Sequence, residues 1–425
     1  MAFRFIHTAD IHLDSPLRSL ALRDPALADL VSTATRRALV RIVDLCLEEQ
    51  VDALLIAGDL YDGEQTSMKT ARFLAEQMRR LHQAHVLVFI IRGNHDALSK
   101  ITKLLQLPDS VTMFDAKAGA IDIVRQRDQF PVVVHGLSFA KPQAPESLVR
   151  HYRPPVSDAV NIGLMHTSLA GSSGHDPYAP CSHADLHATG FHYWALGHIH
   201  KRSVVNGRGA IVMPGMPQGR DIGEAGAKTV SLVTIADDHT VTCQERVTST
   251  AQFERVAVDV SRIEDWRTLP EVIEAALGAA KTATASEHLI ARVSLTGDTP
   301  LAWRIRHDRE LLLTDLQERA AAIGGCWIEK LETSCRAPGQ NAIASGDPIV
   351  ELHRLIHEAV LQSDGFRTEM DAAFKELRKH LPREAQNIFG GAEADFEQAL
   401  ASCAQEGVED VIARLRSSEA TSSCA

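Results

Sequence analysis

Short apolar runs separated by helix-length amphipathic stretches dominate the first half of this 425-residue chain. The runs Phe3 to Ala9, Asp52 to Ala57, Val86 to Ile91, Pro131 to His135, Asn161 to His166, Tyr193 to Leu196 and Ala210 to Met213 have the length of strands. Between the first of them, Ser32 to Glu49 and Ser67 to His82 carry apolar residues at three- and four-residue spacing, the period of a helix with one buried face. Strand–helix–strand alternation predicts a layered α/β architecture with a partly parallel sheet. The later strands lack long helices between them, so the sheet is expected to be mixed. Thr229 to Ile235 and Thr240 to Val247, split by Ala236-Asp237-Asp238-His239, read as a hairpin closing the domain.

The chain is too long for one ordinary core. A second unit, residues 251–345, has Arg255 to Val260 and His288 to Leu295 as strands and Leu269 to Ala280 and Arg309 to Ala322 as helices, a small α+β domain. Ala337-Pro338-Gly339-Gln340 reads as a loop leaving it. Residues 346–425 are helical in pattern, with Glu351 to Gln362 and Phe366 to His380 amphipathic, and the small polar tail Ser417 to Ala425 is expected to be disordered. The first domain accordingly spans residues 1–250.

Composition narrows the class but not the substrate. Hydrophobic residues at 45% and charged residues at 23% suit a soluble globular protein. A net charge of -11 argues against a protein that coats nucleic acid by bulk electrostatics. It leaves room for a nuclease whose positive charge is local, in a basic groove or a metal pair. The seven cysteines (Cys46, Cys181, Cys243, Cys326, Cys335, Cys403, Cys424) are odd in number, and no pair has CxxC spacing. Neither a disulfide framework nor a zinc ribbon is indicated, and a reduced, cytoplasmic protein is expected. There is no signal-peptide pattern and no apolar run long enough to span a membrane.

The chemistry is carried by polar residues placed where strands end. Asp10-Ile11-His12 follows the first run, Gly58-Asp59 the second and Gly93-Asn94-His95-Asp96 the third. His166 ends the Asn161 run, and Gly197-His198-Ile199-His200 ends the Tyr193 run. In open α/β sheets the carboxyl ends of strands converge on one crevice, so these segments can meet. Alternation in Asp10-x-His12 on an extended segment would put both side chains on one side. Asp59 can bridge two cations, because each carboxylate oxygen has lone pairs to spare, while Asn94 adds a neutral oxygen. Carboxylate, amide and imidazole together suit manganese, iron or zinc. Two such ions would clamp a phosphate and activate a water for in-line attack.

These five blocks, in this order, resemble the calcineurin-like metallophosphoesterase superfamily. In finer detail they resemble the SbcD nuclease subunits of bacterial double-strand-break repair and, within that group, YhaO-type proteins. The closer likeness rests on Ala9-Asp10-Ile11-His12-Leu13-Asp14-Ser15-Pro16-Leu17, Gly58-Asp59-Leu60-Tyr61-Asp62, Gly93-Asn94-His95-Asp96, His135-Gly136-Leu137-Ser138 and Pro214-Gly215-Met216-Pro217-Gln218-Gly219-Arg220. It covers about the first 250 residues. The resemblance implies a two-layer αββα sandwich with mixed sheets, followed by a cap domain and helices. It implies that Asp10, His12 and His200 hold one ion and Asn94, His166 and His198 the other, with Asp59 bridging. His95 would face the scissile phosphate and assist the leaving oxygen, with Asp96 orienting it. Implied cofactors are two divalent ions, manganese foremost with iron or zinc as alternatives. Implied partners are DNA, a coiled-coil ATPase of SbcC or YhaN type docking on the C-terminal helices, and a second copy in a homodimer.

Other polar residues carry blander expectations. His7 on the first strand is expected to be a satisfied core histidine, Tyr61 to pack on the sheet, and His175, His183, His187 and His192 to be solvated loop residues. His135 ends a strand without a required role. Asp14 and Asp62 either orient a ligand histidine or cap a local turn. Arg220, with Arg92 and Lys201, either forms a basic rim that meets phosphate or is surface charge. The expected reaction is manganese-dependent hydrolysis of DNA phosphodiesters. The alternatives are a small-molecule phosphodiesterase, a protein phosphatase, or a DNA-end binding scaffold with a structural site.

Overall fold

The computed structural model describes residues 2–15, 25–62, 67–97, 106–123, 130–169, 178–337, 348–380 and 393–422. Pro16, Leu17, His175, the loop residues 338–340 and Cys424 lie outside them. In chain order the first part comprises β1 (Phe3–Thr8), α1 (Pro25–Glu48), β2 (Ala53–Ala57), α2 (Met68–Gln83), β3 (Leu87–Ile91), β4 (Val111–Met113), β5 (Gly119–Ile123) and β6 (Val132–Gly136). It continues with β7 (Val160–His166), α3 (His183–Ala188), β8 (Tyr193–Gly197), β9 (Ser203–Val205), β10 (Ala210–Met213), β11 (Thr229–Ile235) and β12 (Val241–Val247). Next come β13 (Ala251–Asp259), α4 (Thr268–Ala283), β14 (His288–Thr296), α5 (Ala302–His307), α6 (Arg309–Ile323) and β15 (Cys326–Thr333). The chain ends in α7 (Pro348–Leu355), prolonged by a π-helical turn at Ile356–Val360, then α8 (Asp364–His380) and α9 (Glu393–Ser422).

Two six-stranded sheets form the first part, in the orders β12-β11-β1-β2-β3-β4 and β5-β6-β7-β8-β10-β9. Both are mixed, as expected. β1, β2, β3 and β4 run parallel, while β11 pairs antiparallel with β1 and with β12. The β11–β12 hairpin pairs Thr229 with Val247 and Ile235 with Val241. In the second sheet β6, β7, β8 and β10 are parallel and the edge strands β5 and β9 antiparallel.

The two-residue period of a strand decides which side chain enters which layer. Phe3, Phe5, Leu55, Phe89 and Ile91 of the first sheet meet Val132, Val134, Ile162, Leu164, Tyr193 and Val212 of the second in one core. Their strand neighbours Ile6, Leu54, Ile56, Val88 and Ile90 face the other way, onto Leu39, Ile42 and Val43 of α1 and Leu74, Met78 and Leu81 of α2. The outer face of the second sheet buries Trp194, Leu196 and Ile211 with Leu186 of α3 and Tyr152. Among the described residues that layer is thin, a single helix of six residues. It holds His183 and His187, which the sequence pattern places in a loop.

The chain divides into two compact units, residues 1–254 with 280–290, and residues 255–279 with 291–425. The expected three-way split places a boundary near 345, whereas the α+β segment and the C-terminal helices cluster as one unit. The reason is packing. Trp303 on α5 and Ile349 on α7 join Val408 and Ile412 on α9. Residues 255–259, 291–296 and 326–333 of this unit lie in a three-stranded sheet of order β13-β14-β15, whose third strand the sequence pattern does not mark. Residues 417–422, expected in a disordered tail, belong to α9.

Candidate metal centre

The carboxyl ends of β1, β2 and β3 in one sheet and of β7 and β8 in the other come together. The β1 tail runs beside the β2 tail: Asp10 N–H donates to Gly58 O (3.1 Å), His12 N–H to Asp59 O (3.0 Å) and Leu13 N–H to Leu60 O (2.9 Å). Two bonds tie the sheets together here. His166 Nδ1 lies 2.9 Å from Ala57 O, and His198 N–H donates to the Asp10 carboxylate at 3.0 Å.

Asp10 and His12 do converge, but not by alternation on an extended strand. Both have left-handed backbone, with φ 53° and 45°, as do Asp59 at 50° and His198 at 101°. Strained positive-φ residues without a glycine's freedom are uncommon, and their clustering here marks a site held by its surroundings. Glycines supply the room. A Cβ on Gly58 would collide with the His166 ring, and one on Gly93 with the Asp59 carboxylate and His166.

Two donor clusters result. Asp10, His12 and His200 form one, and Asp59, His166 and His198 the other, the donor atoms within each lying within 4.8 Å of one another. Asn94 Oδ1 is 3.0 Å from His166 Nε2, and Asp59 Oδ2 is 3.3 Å from the same nitrogen. The two histidines of Gly-His-x-His thus point to different clusters. Two details fit cations. His166 spends its Nδ1–H on the Ala57 carbonyl, so its Nε2 lone pair faces two oxygens and needs a proton or a metal between them. His12 Nε2 faces His200 Nε2 at 3.3 Å, near the roughly 3.4 Å between two nitrogens on one tetrahedral zinc-type ion.

Electrostatics agree. Burial pushes the Asp10 carboxyl up against the pull of His166 and His200. Burial also raises Asp59, but the charge and hydrogen bond of His166, with His12 and His95, outweigh it and hold that carboxyl well below the usual range. Burial depresses His166, yet Asp59 and Asp10 more than reverse this and hold it at about 9. Divalent cations on the same atoms would meet this concentration of negative charge directly.

His95 sits on the rim, 43% exposed, its ring 5.0 Å from that of His12. Its partner is not Asp96. The Asp96 carboxylate is buried and accepts from Leu60 N–H (3.0 Å) and Gly93 N–H (2.6 Å), so it shapes the loops that carry Asp59 and Asn94. Burial first, then the charge of Asp59, pushes Asp96 up to about 7. The carboxylate on His95 Nδ1 is Asp62, at 2.9 Å. That hydrogen bond raises His95 above its ordinary pKa and holds Asp62 well below its own. Ser15 Oγ donates to the other Asp62 oxygen at 2.6 Å.

Arg220 belongs to the same edge. It binds Glu224 at 2.9 Å and lies 3.9 Å from Asp62. Glu224 also takes His200 Nδ1 at 2.8 Å, completing a carboxylate–histidine pair behind a candidate ligand. Burial raises the Glu224 carboxyl, but bonds from His200 and Arg220 override it and hold it at about 2. Sequence reasoning missed Glu224. Its one signal, a position four residues after Arg220, is common on any chain.

The remaining residues take structural places. Asp14 binds Arg36 on α1 at 2.6 Å and Thr70 on α2, joining two helices rather than orienting a ligand. His7 is buried, accepting from Tyr193 Oη (2.8 Å) and donating to Leu196 O (3.0 Å), and burial lowers it to about 3. His135 donates to Asn161 and leans on Phe191. Tyr61 is buried beside α1 and α2, the packing alternative. His192 accepts from Asn161 N–H at 3.1 Å rather than standing in solvent. Lys201 is exposed and Arg92 half-buried. The six described cysteines form no disulfide.

The family described as calcineurin-like phosphoesterase matches residues 3–202, and the middle domain of metallophosphoesterase YhaO matches residues 253–336. The uncharacterized metallophosphoesterase YhaO of Bacillus subtilis is 32% identical over 322 residues, 75% of this chain and 78% of that protein. The chain belongs to the calcineurin-like metallophosphoesterase family and is YhaO-like. Within the family, the DNA double-strand break repair protein Mre11 of Methanocaldococcus jannaschii is 28% identical over 209 residues, 47% of this chain and 51% of that one. The chain therefore spans about half the length of that relative. A dimetal phosphatase from Danio rerio aligns over 58% of this chain and 96% of its own at 14% identity, with a TM-score of 0.38. The family binds two divalent metals and hydrolyses phosphoester bonds, and the two donor clusters hold this chain's candidate ligands.

Proposed function

We propose that the protein is a manganese-dependent DNA phosphodiesterase acting at or near DNA ends in repair. The observation that carries this is the gathering of seven donor side chains from five strand ends into two adjoining clusters with a solvent-facing histidine at their edge. Asp10, His12 and His200 would hold one ion, Asn94, His166 and His198 the other, and Asp59 both. When bound, such a pair supplies positive charge for the phosphate and acidifies water for attack. The chain's own part is positioning and proton transfer. Glu224 fixes the His200 ring through Nδ1. Asp62 keeps a proton on His95 Nδ1 and raises the ring's basicity, so that the exposed Nε2–H can be given to the departing oxygen. Arg220, held by Glu224, offers its guanidinium to a phosphate oxygen.

The Mre11 relatives, named for DNA double-strand break repair, support DNA as the substrate. The C-terminal helices present Leu352, Leu355, Leu377 and Leu415 to solvent, which supports docking of a coiled-coil ATPase of SbcC or YhaN type. No described helix is long and apolar enough to cross a membrane. A cytoplasmic site of action and a homodimer are part of the same reading.

The test is hydrolysis of end-labelled duplex DNA, with and without manganese, beside cyclic nucleotides and phosphopeptides, using Asp59→Asn as control. Manganese-dependent shortening of DNA that Asp59→Asn lacks is expected. Turnover of the small substrates or the phosphopeptide with DNA untouched would replace this reading by a phosphodiesterase or phosphatase.

A further inference from the structure

We propose that His353, His357 and Glu409 form a zinc site in the C-terminal helical region, built from the second unit alone. His353 lies in α7 and His357 in the π-helical turn that prolongs it. Spaced four residues apart, they share a helix face, and their ring centroids are 4.5 Å apart. Glu409 comes from α9. His353 Nε2 is 2.9 Å and His357 Nε2 3.7 Å from the same oxygen, Glu409 Oε1. The three donor atoms lie within 4.8 Å of one another.

An interhelical hydrogen bond accounts for His353 but not for His357. At 3.7 Å its Nε2 is beyond hydrogen-bonding reach of the carboxylate, and it is buried with no other hydrogen-bond partner. Hiding an imidazole nitrogen from water this way costs free energy that no other contact among the described residues returns. A cation among the three atoms would. Zinc–nitrogen and zinc–oxygen bonds of about 2.1 Å put donors roughly 3.4 Å apart at tetrahedral angles. The observed separations of 2.9 and 3.7 Å bracket that value.

Packing holds the geometry in place, since Ile349, Ile356, Val408 and Ile412 close the seam beside the donors. The three side chains as wholes are 19–28% exposed, at the edge of the seam rather than deep within it. Two imidazoles and one carboxylate are a borderline set that suits Zn2+. The site is not a hydrolase centre of the H-E-x-x-H kind. The residue after the first histidine is Arg354, ion-paired with Glu351 and Glu358. Its role is to staple α7 to α9.

The experiment measures Zn2+ bound per full-length chain by equilibrium dialysis, with Co2+ absorbance as a coordination signature. Wild type is compared with His353→Gln/His357→Gln and with Glu409→Gln. The double variant is expected to bind about one fewer ion per chain and to lose one Co2+ spectral component, with its manganese stoichiometry unchanged. Glu409→Gln keeps an acceptor for His353, so the seam survives, and it should weaken zinc binding at least about tenfold. Equal zinc stoichiometry and affinity in all three chains would overturn the site, as would a Glu409→Gln chain that binds like wild type.

Discussion

In the proposed reaction His95 and Asp62 would share the handling of one proton, the exposed ring meeting substrate and the carboxylate 2.9 Å away keeping it protonated and in place. Replacing His95 by alanine is expected to lower kcat by about 10²–10⁴ while bound metal per chain stays at the wild-type value. Asp62→Asn should lower kcat with KM little changed, and Asp96→Asn should instead disturb metal content, since Asp96 holds the loops rather than the ring. Parallel kinetics and metal analysis separate the three. A second residue-scale prediction concerns His7, whose pKa burial lowers to about 3. Between that value and the ordinary 6.5 the unfolded chain takes up a proton that the folded chain refuses, so stability falls as pH drops. The loss from this group approaches about 2 kcal/mol at pH 5. His7→Gln should therefore show a shallower decline in urea midpoint from pH 7.5 to 5 than wild type. Parallel declines would remove the argument.

At the scale of elements, the site depends on strand ends that continue to pair after the strands stop. Gly93→Ala places a methyl group against Asp59 and His166 and should abolish loading of the second cluster with little change in helix content. Metal analysis beside far-ultraviolet circular dichroism checks this. Asp14 lies next to the ligand motif in sequence yet joins α1 to α2 through Arg36 and Thr70. Asp14→Asn should cost roughly 1–3 kcal/mol in unfolding free energy and leave metal binding intact. The strands and long helices are readable from periodicity because each buries one face against a neighbouring layer. The short strands β4, β5 and β9 are not, since three to five half-exposed residues carry too little pattern. The pairing of His95 with Asp96 fails for a related reason. Adjacency of Asp96 in the chain says nothing about where a tight turn sends its carboxylate.

For the whole molecule, the net charge of -11 means that the proposed DNA binding would have to be carried by local features such as Arg220 and a metal pair. In the same proposal the exposed apolar residues of the C-terminal helices would act on assembly and not on chemistry. Leu377→Asp on α8 should leave metal-dependent hydrolysis by the isolated chain unchanged while weakening co-purification with a coiled-coil ATPase partner. Loss of hydrolysis in that variant would tie the helices to the reaction itself.

Residue order alone determined the layered α/β architecture and named the candidate donor set, because strand periodicity and the convergence of strand ends are local and topological rules. Folding in three dimensions decided the rest. It chose Asp62 over Asp96 for His95, recruited Glu224 behind His200, and set His353, His357 and Glu409 facing one another, since hydrogen bonds and metal ligation depend on distances between atoms that segments remote in sequence bring together.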